Sequence, residues 1–249
     1  DPASGSNTSA SQNPSHTFSG SGNYTVTLTV TNAAGCTSTV QSNVTVNANP
    51  TITVNNAQIC EGQQAVISGP AGFSSYSWNT GSTQSSITVS PTVTTTYTLT
   101  VTDGNGCTAS DPATLTVNPL PVANAGNPQT ICEGQQATLN GGGGASYEWN
   151  PGALAGQSVN VTPTSTSTYT VTVTSGAGCT STASVTINVN QMPSVNAGDD
   201  LAICKGGSIT ITAVSPIGSF TWQPGNLNGS SITVSPTVTT DYTVQVSDA

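Results

Sequence analysis

Positive charge is almost missing from this chain. Of 249 residues, one is Lys or Arg (Lys205) against ten Asp plus Glu, and the formal net charge is -9. Gripping a phosphate backbone takes clustered Lys and Arg, so the composition argues against nucleic acid as a partner. An anionic membrane surface is disfavoured for the same reason. Histidine is nearly absent as well: His16 stands alone. A Ser-His-Asp triad needs a positioned His, and His16, where Pro14-Ser15-His16-Thr17-Phe18 leads into a strand, reads as a surface or edge side chain. No Cys-x-x-Cys occurs, which leaves zinc without a ligand set. No run of about 18 apolar residues occurs, so no membrane insertion is expected of this segment.

What is present points to strands. Charged residues make up 4% and apolar residues 34%, and Thr, Ser, Val, Asn and Gly fill most of the rest. Low hydrophobicity usually suggests disorder, but disordered chains tend also to be highly charged and poor in β-branched residues. Here Val, Ile and Thr abound, and they suit half-buried pleated strands. The run Tyr24-Thr25-Val26-Thr27-Leu28-Thr29-Val30 alternates apolar with Thr, so one face is buried and the other wet.

Four marker series share one period. Cys60, Cys132 and Cys204 lie 72 and 72 residues apart, and Cys36, Cys107 and Cys179, each after a Gly, lie 71 and 72 apart. Trp78, Trp149 and Trp222 recur, and Tyr24, Tyr97, Tyr169 and Tyr242 each open a Tyr-Thr-Val or Tyr-Thr-Leu run. Repetition at this period signals tandem modules. The expected units are 1–48 (the back half of a repeat), 49–119, 120–191, and 192–249 (a repeat lacking its last strand). The opening Asp1-Pro2-Ala3-Ser4 reads as a mature or internal start, and since both ends cut through a repeat, a parent protein continuing in both directions is expected. A neighbouring strand completing the open last repeat is the alternative.

The repeat at 120–191 shows the expected fold. A first, irregular strand covers Val122 to Ile131, and Glu133-Gly134 turns the chain. The next, Gln136 to Asn140, puts Ala137 and Leu139 inward. Gly141 to Gly144 form a loop; with no Lys-Ser/Thr after them, they are not a phosphate loop. A strand at Ser146 to Asn150 carries Tyr147 and Trp149 on one face, and Pro151-Gly152 ends it. Val159 and Val161 mark another, then Tyr169, Val171 and Val173, and after Gly176-Ala177-Gly178 a last one with Ala183, Val185, Ile187 and Val189. About seven short strands of this kind make an all-β sandwich. Trp78, Trp149 and Trp222 are its expected core anchors. Tyr24, Tyr97, Tyr169 and Tyr242 are expected at its tyrosine corner. Antibody-type domains carry a core cysteine two residues after that Tyr; here Val26, Leu99, Val171 and Val244 stand there, so the cysteines serve another purpose.

The series Ala-Gly-x-x-Gln-Thr-Ile-Cys-Glu-Gly, Ser-Tyr-x-Trp-x-Pro-Gly, Ser-Pro-Thr-x-Thr-Thr-x-Tyr-Thr-Val-x-Val and Gly-Cys resembles the immunoglobulin-like repeats of giant secreted Bacteroidota proteins. The stretch from Pro14 to Asn32 resembles the end of a polycystic-kidney-disease (PKD) repeat. The resemblance implies an extracellular adhesin or cell-surface stalk, a linear rod of immunoglobulin-like (PKD-like) sandwiches often exported by the type IX system. Its partners would be neighbouring repeats and other copies in a filament. The modules also occur beside secreted hydrolases, so a spacer or carbohydrate-binding role is the second reading. Sugar binding needs a flat outward row of rings; with aromatics at 5% and Trp at core positions, that reading is the weaker. No enzymatic role is expected. Each repeat would add about 35–40 Å to the rod, from strand length.

Six cysteines at regular spacing suggest an oxidising compartment. The first series ends the first strand, at one pole of the sandwich; the second lies in the turn before the last strand, five reversals later and so at the opposite pole. A strand spans roughly 23–34 Å, whereas a disulfide needs Cα atoms within about 7 Å. Stacked repeats would bring one pole against the next, which favours Cys60–Cys179 between repeats and would limit bending at that junction. Cys60–Cys107 and Cys132–Cys179 within repeats are the alternatives; bonds between chains and free thiols also stay open.

Other candidates have plainer readings. Asp103, in Asp103-Gly104-Asn105-Gly106, and the pair Asp199-Asp200 are calcium candidates, set against ordinary turn chemistry. No other cofactor is expected. Glu61 and Glu133 are equivalent positions a repeat apart, too distant to act as paired glycosidase carboxylates. Asn7, Asn23, Asn43, Asn160 and Asn228 head Asn-x-Ser/Thr sequons, which Thr-rich sequence produces by chance. A chain this poor in charge gives salt little to screen. Its melting temperature should stay constant to about 2 °C between roughly 0.01 and 0.5 M NaCl; a large shift in calorimetry would show hidden ion pairing.

Overall fold

A computed structural model describes residues 7–247; Asp1-Pro2-Ala3-Ser4 lie outside the described residues. Among the described residues there is no helix, and twenty strands carry the fold. The chain divides into two compact units, Asp1–Leu120 with Ala177–Cys179, and Pro121–Gly176 with Thr180–Ala249.

The first unit begins with β1 (Gly22–Thr31) and β2 (Thr37–Val46), an antiparallel two-stranded sheet. Its alternation is clear, yet Val26, Leu28, Val30 and Val40 are 48–62% exposed, and among the described residues no second sheet covers them. Then follow β3 (Ala57–Cys60), β4 (Ala65–Ser68), β5 (Ser75–Trp78), β6 (Ser86–Val89), β7 (Thr95–Thr102) and β8 (Thr108–Asn118). Four of them form a sheet in the order β3-β8-β7-β5, and β4 pairs with β6. The period of two decides which side chains go in: Tyr97, Leu99 and Val101 of β7 and Ala113 and Leu115 of β8 are buried, joining Trp78, Ile67 and Ile87 in one core. β8 lies antiparallel to β7 and parallel to β3. Ahead of β3, the Val54 amide donates to Asp111 Oδ2 at 2.7 Å, which fastens the approach to that strand.

The second unit repeats the plan. β9 (Gln129–Cys132), β10 (Ala137–Asn140), β11 (Ser146–Asn150), β12 (Leu154–Ala155), β13 (Ser158–Val161), β14 (Ser167–Thr174) and β15 (Thr180–Asn190) form a sheet β12-β11-β14-β15-β9 and a pair β10-β13. They share a core of Trp149, Leu139, Tyr169, Val171, Val173, Val185 and Ile187. The first strand is shorter than expected. β9 begins at Gln129, and ahead of it Asn124 makes a lone bridge to Gly142. Gly126 sits at φ 77° with its amide on Asn124 Oδ1, and Pro128 has no amide to donate, so the chain turns instead of pairing. β12 is additional: after Pro151-Gly152 the chain returns to β11, pairing Leu154 with Trp149.

The same unit continues with β16 (Ile209–Thr212), β17 (Ser219–Gln223), β18 (Leu227–Asn228), β19 (Ser231–Val234) and β20 (Thr243–Ser247). The sheets are β18-β17-β20 and β16-β19, around Ala213, Trp222, Ile232 and Val234. Val244 and Val246, counterparts of Leu99 and Val101, are half-buried. Residues Leu201 to Cys204, counterparts of β3 and β9, form no strand.

All three indoles are buried, at 0–2% exposure. Each donates its Nε1–H to a backbone carbonyl: Trp78 to Gln84 (2.9 Å), Trp149 to Gly156 (3.2 Å) and Trp222 to Gly229 (3.0 Å). Burying an indole demands such an acceptor, and these bonds pin the crossover to the opposing pair of strands. The tyrosines divide. Tyr97 and Tyr169 are buried in the cores, and Tyr242 is half-buried beside Trp222. Tyr24 is no core anchor. It is half-buried against Phe18, with ring centroids 4.6 Å apart. It does donate from its hydroxyl to the Gly20 carbonyl at 2.9 Å, the bond expected of a tyrosine corner.

The loop of four glycines is tightly packed. At Gly143, φ 99°, a Cβ would lie 1.8 Å from the Val122 carbonyl oxygen, whereas at Gly176 it would meet nothing within 4 Å. Gly143→Ala should therefore cost about 2 kcal/mol or more in denaturant unfolding, and Gly176→Ala less than about 0.5 kcal/mol.

Candidate functional site: two turns joined by a disulfide

Cysteine-bearing turns of two kinds recur, each locked by a side chain. Cys60 ends β3. Gly62, at φ 82°, makes the bend, the Gln63 amide donates back to the Cys60 carbonyl, and the Cys60 amide donates to Gln63 Oε1, both at 3.0 Å. The Glu61 amide donates to the Asn118 carbonyl at 2.9 Å, holding the turn against the end of β8. The turn at Cys132 is built alike: Gly134 at φ 81°, the Cys132 amide on Gln135 Oε1 at 3.2 Å, and the Glu133 amide on the Asn190 carbonyl at 2.9 Å. At Cys204 a glycine replaces the glutamine, and only the Gly207-to-Cys204 backbone bond remains of that lock, at 2.9 Å.

The second kind of turn links the last two strands of a repeat. Asn32 Oδ1 accepts the amides of Ala34 and Cys36 at 3.0 Å, and Asp103 Oδ1 accepts those of Asn105 and Cys107 at 2.9 Å. A small polar residue four positions before the cysteine closes the loop through its side chain, the usual conduct of Asn and Asp in turns. Gly35, Gly106 and Gly178 supply the φ of 82–84° that precedes each cysteine.

Cys60 and Cys179 are bonded to each other, with Cα atoms 5.6 Å apart and a separation of 119 positions in sequence. Both lie in the first compact unit, which takes in Ala177–Cys179. Cys179 is 1% exposed and Cys60 half-buried. Cys179 Sγ rests 3.8 Å from the Asn118 carbonyl oxygen, so one carbonyl touches both turns. With Cys60 and Cys179 so engaged, neither Cys60–Cys107 nor Cys132–Cys179 is formed. Cys36, Cys132 and Cys204 are exposed and Cys107 half-buried, all four unbonded.

The acidic candidates are not brought together. Asp103 spends one carboxylate oxygen on its own turn, and in the equivalent turn the uncharged Asn32 does the same work. Asp199 and Asp200 are exposed beside a groove in the last repeat. Among the described residues, no three His, Cys, Asp or Glu side chains are placed to hold a metal ion. Glu61 and Glu133 occupy turns as expected, and the ring of His16 lies edge-on to Phe18 at 4.7 Å. The glutamines went unread in the sequence, although Cys-Glu-Gly-Gln recurs at 60–63 and 132–135 and signalled them.

Comparison with known proteins adds to this geometry. Residues 4–46 match the PKD domain family. No curated protein matches the chain. Solved structures that resemble it include a Ca2+-stabilized adhesin with which an Antarctic bacterium binds ice, at 15% identity and TM-score 0.36, covering 86% of this chain and 71% of that one. Another is the set of immunoglobulin domains 1–5 of Sidekick-1, at 15% identity and TM-score 0.32, covering 87% and 57%. A third is the N-terminal Ig1-2 module of the Drosophila receptor protein tyrosine phosphatase DLAR, at 15% identity and TM-score 0.24, covering 57% and 100%. The chain is all-β, with three successive repeats each built of two sheets around one buried core.

Since Asn32 and Asp103 close equivalent turns, Asp103→Asn should leave stability within about 0.5 kcal/mol of the parent. Millimolar calcium should move the melting temperature of neither protein; a calcium-dependent rise lost in Asp103→Asn would establish a bound ion.

Proposed function

We propose that this chain is a segment of an extracellular stalk, structural or adhesive, from a large Bacteroidota surface protein, and that it carries no catalysis of its own. The units are 49–119, 120–191 and 192–249, preceded by the PKD-like half repeat 1–48, and their partners are neighbouring repeats of the same parent. The observation that carries this reading is a core with the same buried Trp built three times in succession, with a disulfide covalently tying repeat 49–119 to repeat 120–191. A module repeated for chemistry would present reactive groups; these repeats spend their distinctive residues on cores and turns. The indoles face inward and hydrogen-bond backbone carbonyls, which argues against the sugar-binding alternative, since rings must lie outward to stack on sugars.

The disulfide suits a load-bearing role. A pull on the two ends passes through Cys60 and Cys179 and bypasses the chain between them, so that loop stays folded or slack while the rest extends. Two measurements test the reading. Antibody against residues 49–191 should stain intact cells that make the parent protein; staining only after permeabilisation would overturn it. In single-molecule stretching, reduction should lengthen the fully extended chain by roughly 400 Å, from 119 residues at about 3.5 Å each. Equal lengths with and without reductant would remove the mechanical role.

A further inference from the structure

The two sulfurs of the Cys60–Cys179 bond are guarded unequally. Cys179 is buried, and its Sγ faces the Asn118 carbonyl oxygen at 3.8 Å. That carbonyl is itself fixed, because it accepts the Glu61 amide at 2.9 Å. The Asn118 side chain adds to the hold, donating from Nδ2 to Gln58 Oε1 and to the Ile59 carbonyl, each at 3.4 Å. Cys60 is only half-buried. A thiolate arriving from solvent therefore has one sulfur within reach, that of Cys60.

The covered sulfur matters as the leaving group. In thiol–disulfide exchange the attacked sulfur gains a bond and the other departs as a thiolate, faster the more stable that thiolate is. Attack at Cys60 sends Cys179 off into a buried place with a carbonyl oxygen facing it. Thiolates are stabilised by Lys, Arg, protonated His or a helix N-terminus. Residues 49–191 contain no Lys, Arg or His, and among the described residues there is no helix. The reachable sulfur thus carries the poor leaving group. Attack at Cys179 would release the better solvated Cys60 thiolate, but that sulfur is covered.

We propose that this disulfide is a one-sided, self-closing redox latch. A small thiolate, the reductant, attacks Cys60 Sγ. A mixed disulfide forms there, the Cys60–Cys179 bond breaks, and its electron pair leaves on the Cys179 sulfur, which takes a proton from water. The folded turns keep the two cysteines together, with Cα atoms 5.6 Å apart in the closed bond. A group held so close competes at a high effective concentration. Cys179, on losing its proton again, attacks Cys60 Sγ and expels the small thiolate, which restores the bond without an added oxidant. The latch opens for good only when the Gly178-Cys179 turn moves away from the end of β8. Small thiols alone do not release it; loss of local structure does.

The test uses the full chain, with Cys36, Cys107, Cys132 and Cys204, all unbonded, first capped by N-ethylmaleimide. A short pulse of mercaptoethanol is stopped with acid, and iodoacetamide in denaturant then labels the freed cysteine. Peptide mapping should find mercaptoethanol on Cys60 and the iodoacetamide label on Cys179, in at least about tenfold excess over the reverse. Opening should be about a hundredfold or more slower in buffer than in concentrated guanidinium chloride, where both sulfurs are bare. Removing the free thiol by gel filtration should restore the bond in the folded chain. Adducts shared equally between the two cysteines would overturn the proposal. Equal rates in buffer and denaturant would do the same, as would an adduct that persists once the thiol is gone.

Discussion

The long strand that ends each complete repeat governs the rest of the structure. β8 and β15 serve two edges at once: they bury the inward side chains of β7 and β14, and they give β3 and β9 a backbone to pair with. The first strand is four residues long in both repeats, too short to persist without that partner. In the last repeat the Ile203-Cys204 region forms no strand and the valines of β20 are half-buried. The turn that presents the first-strand cysteine leans on the same element, since Glu61 and Glu133 bond the carbonyls that end β8 and β15. Core, edge and cysteine turn are thus one cooperative arrangement.

A surface with so few charges must settle its polar groups in another way. The outward faces pair hydroxyls across strands: Thr100 with Ser110, Thr168 with Thr186, Thr170 with Ser184, Thr210 with Thr233, and Thr212 with Ser231, at 2.8–3.2 Å. Each such pair contributes a few tenths of a kcal/mol, up to about 1 kcal/mol, and none depends on ionic strength. The hairpin β1–β2 uses amides in the same positions, with Asn23 facing Thr45 and Asn43 facing Thr25. Thr serves both demands, as its β-branch favours the strand and its hydroxyl answers the neighbour.

Most strands were legible because a buried face writes a period of two into the residues, and Ala137, Leu139, Trp149, Val171 and Ile187 all fall inward as that period requires. What escaped had no period to show. β12 is two residues long, and the stretch before β9 is bent by Gly126 and Pro128 while still composed like a strand. The carbonyls that receive the indoles were invisible, since every residue has one. Tyr24 misled because its Tyr-Thr-Val-Thr run matches the others; it stands 12 residues before its cysteine, where Tyr97 and Tyr169 stand 10 before theirs. At the cysteine turns, the recurring Gly-Cys and Cys-Glu-Gly were readable, and the glutamine that completes the second motif was equally plain but unweighed.

The pairing of Cys60 with Cys179 imposes an order of events on the emerging polypeptide. Cys107 and Cys132 both leave the ribosome before Cys179 and are, for a time, the nearer mates in sequence. A nascent chain that oxidised at first opportunity would trap one of them. The observed connectivity therefore requires either that folding precede oxidation, with β8 holding the turn at Glu61 until the Cys179 turn has formed, or that an early bond be exchanged for the final one.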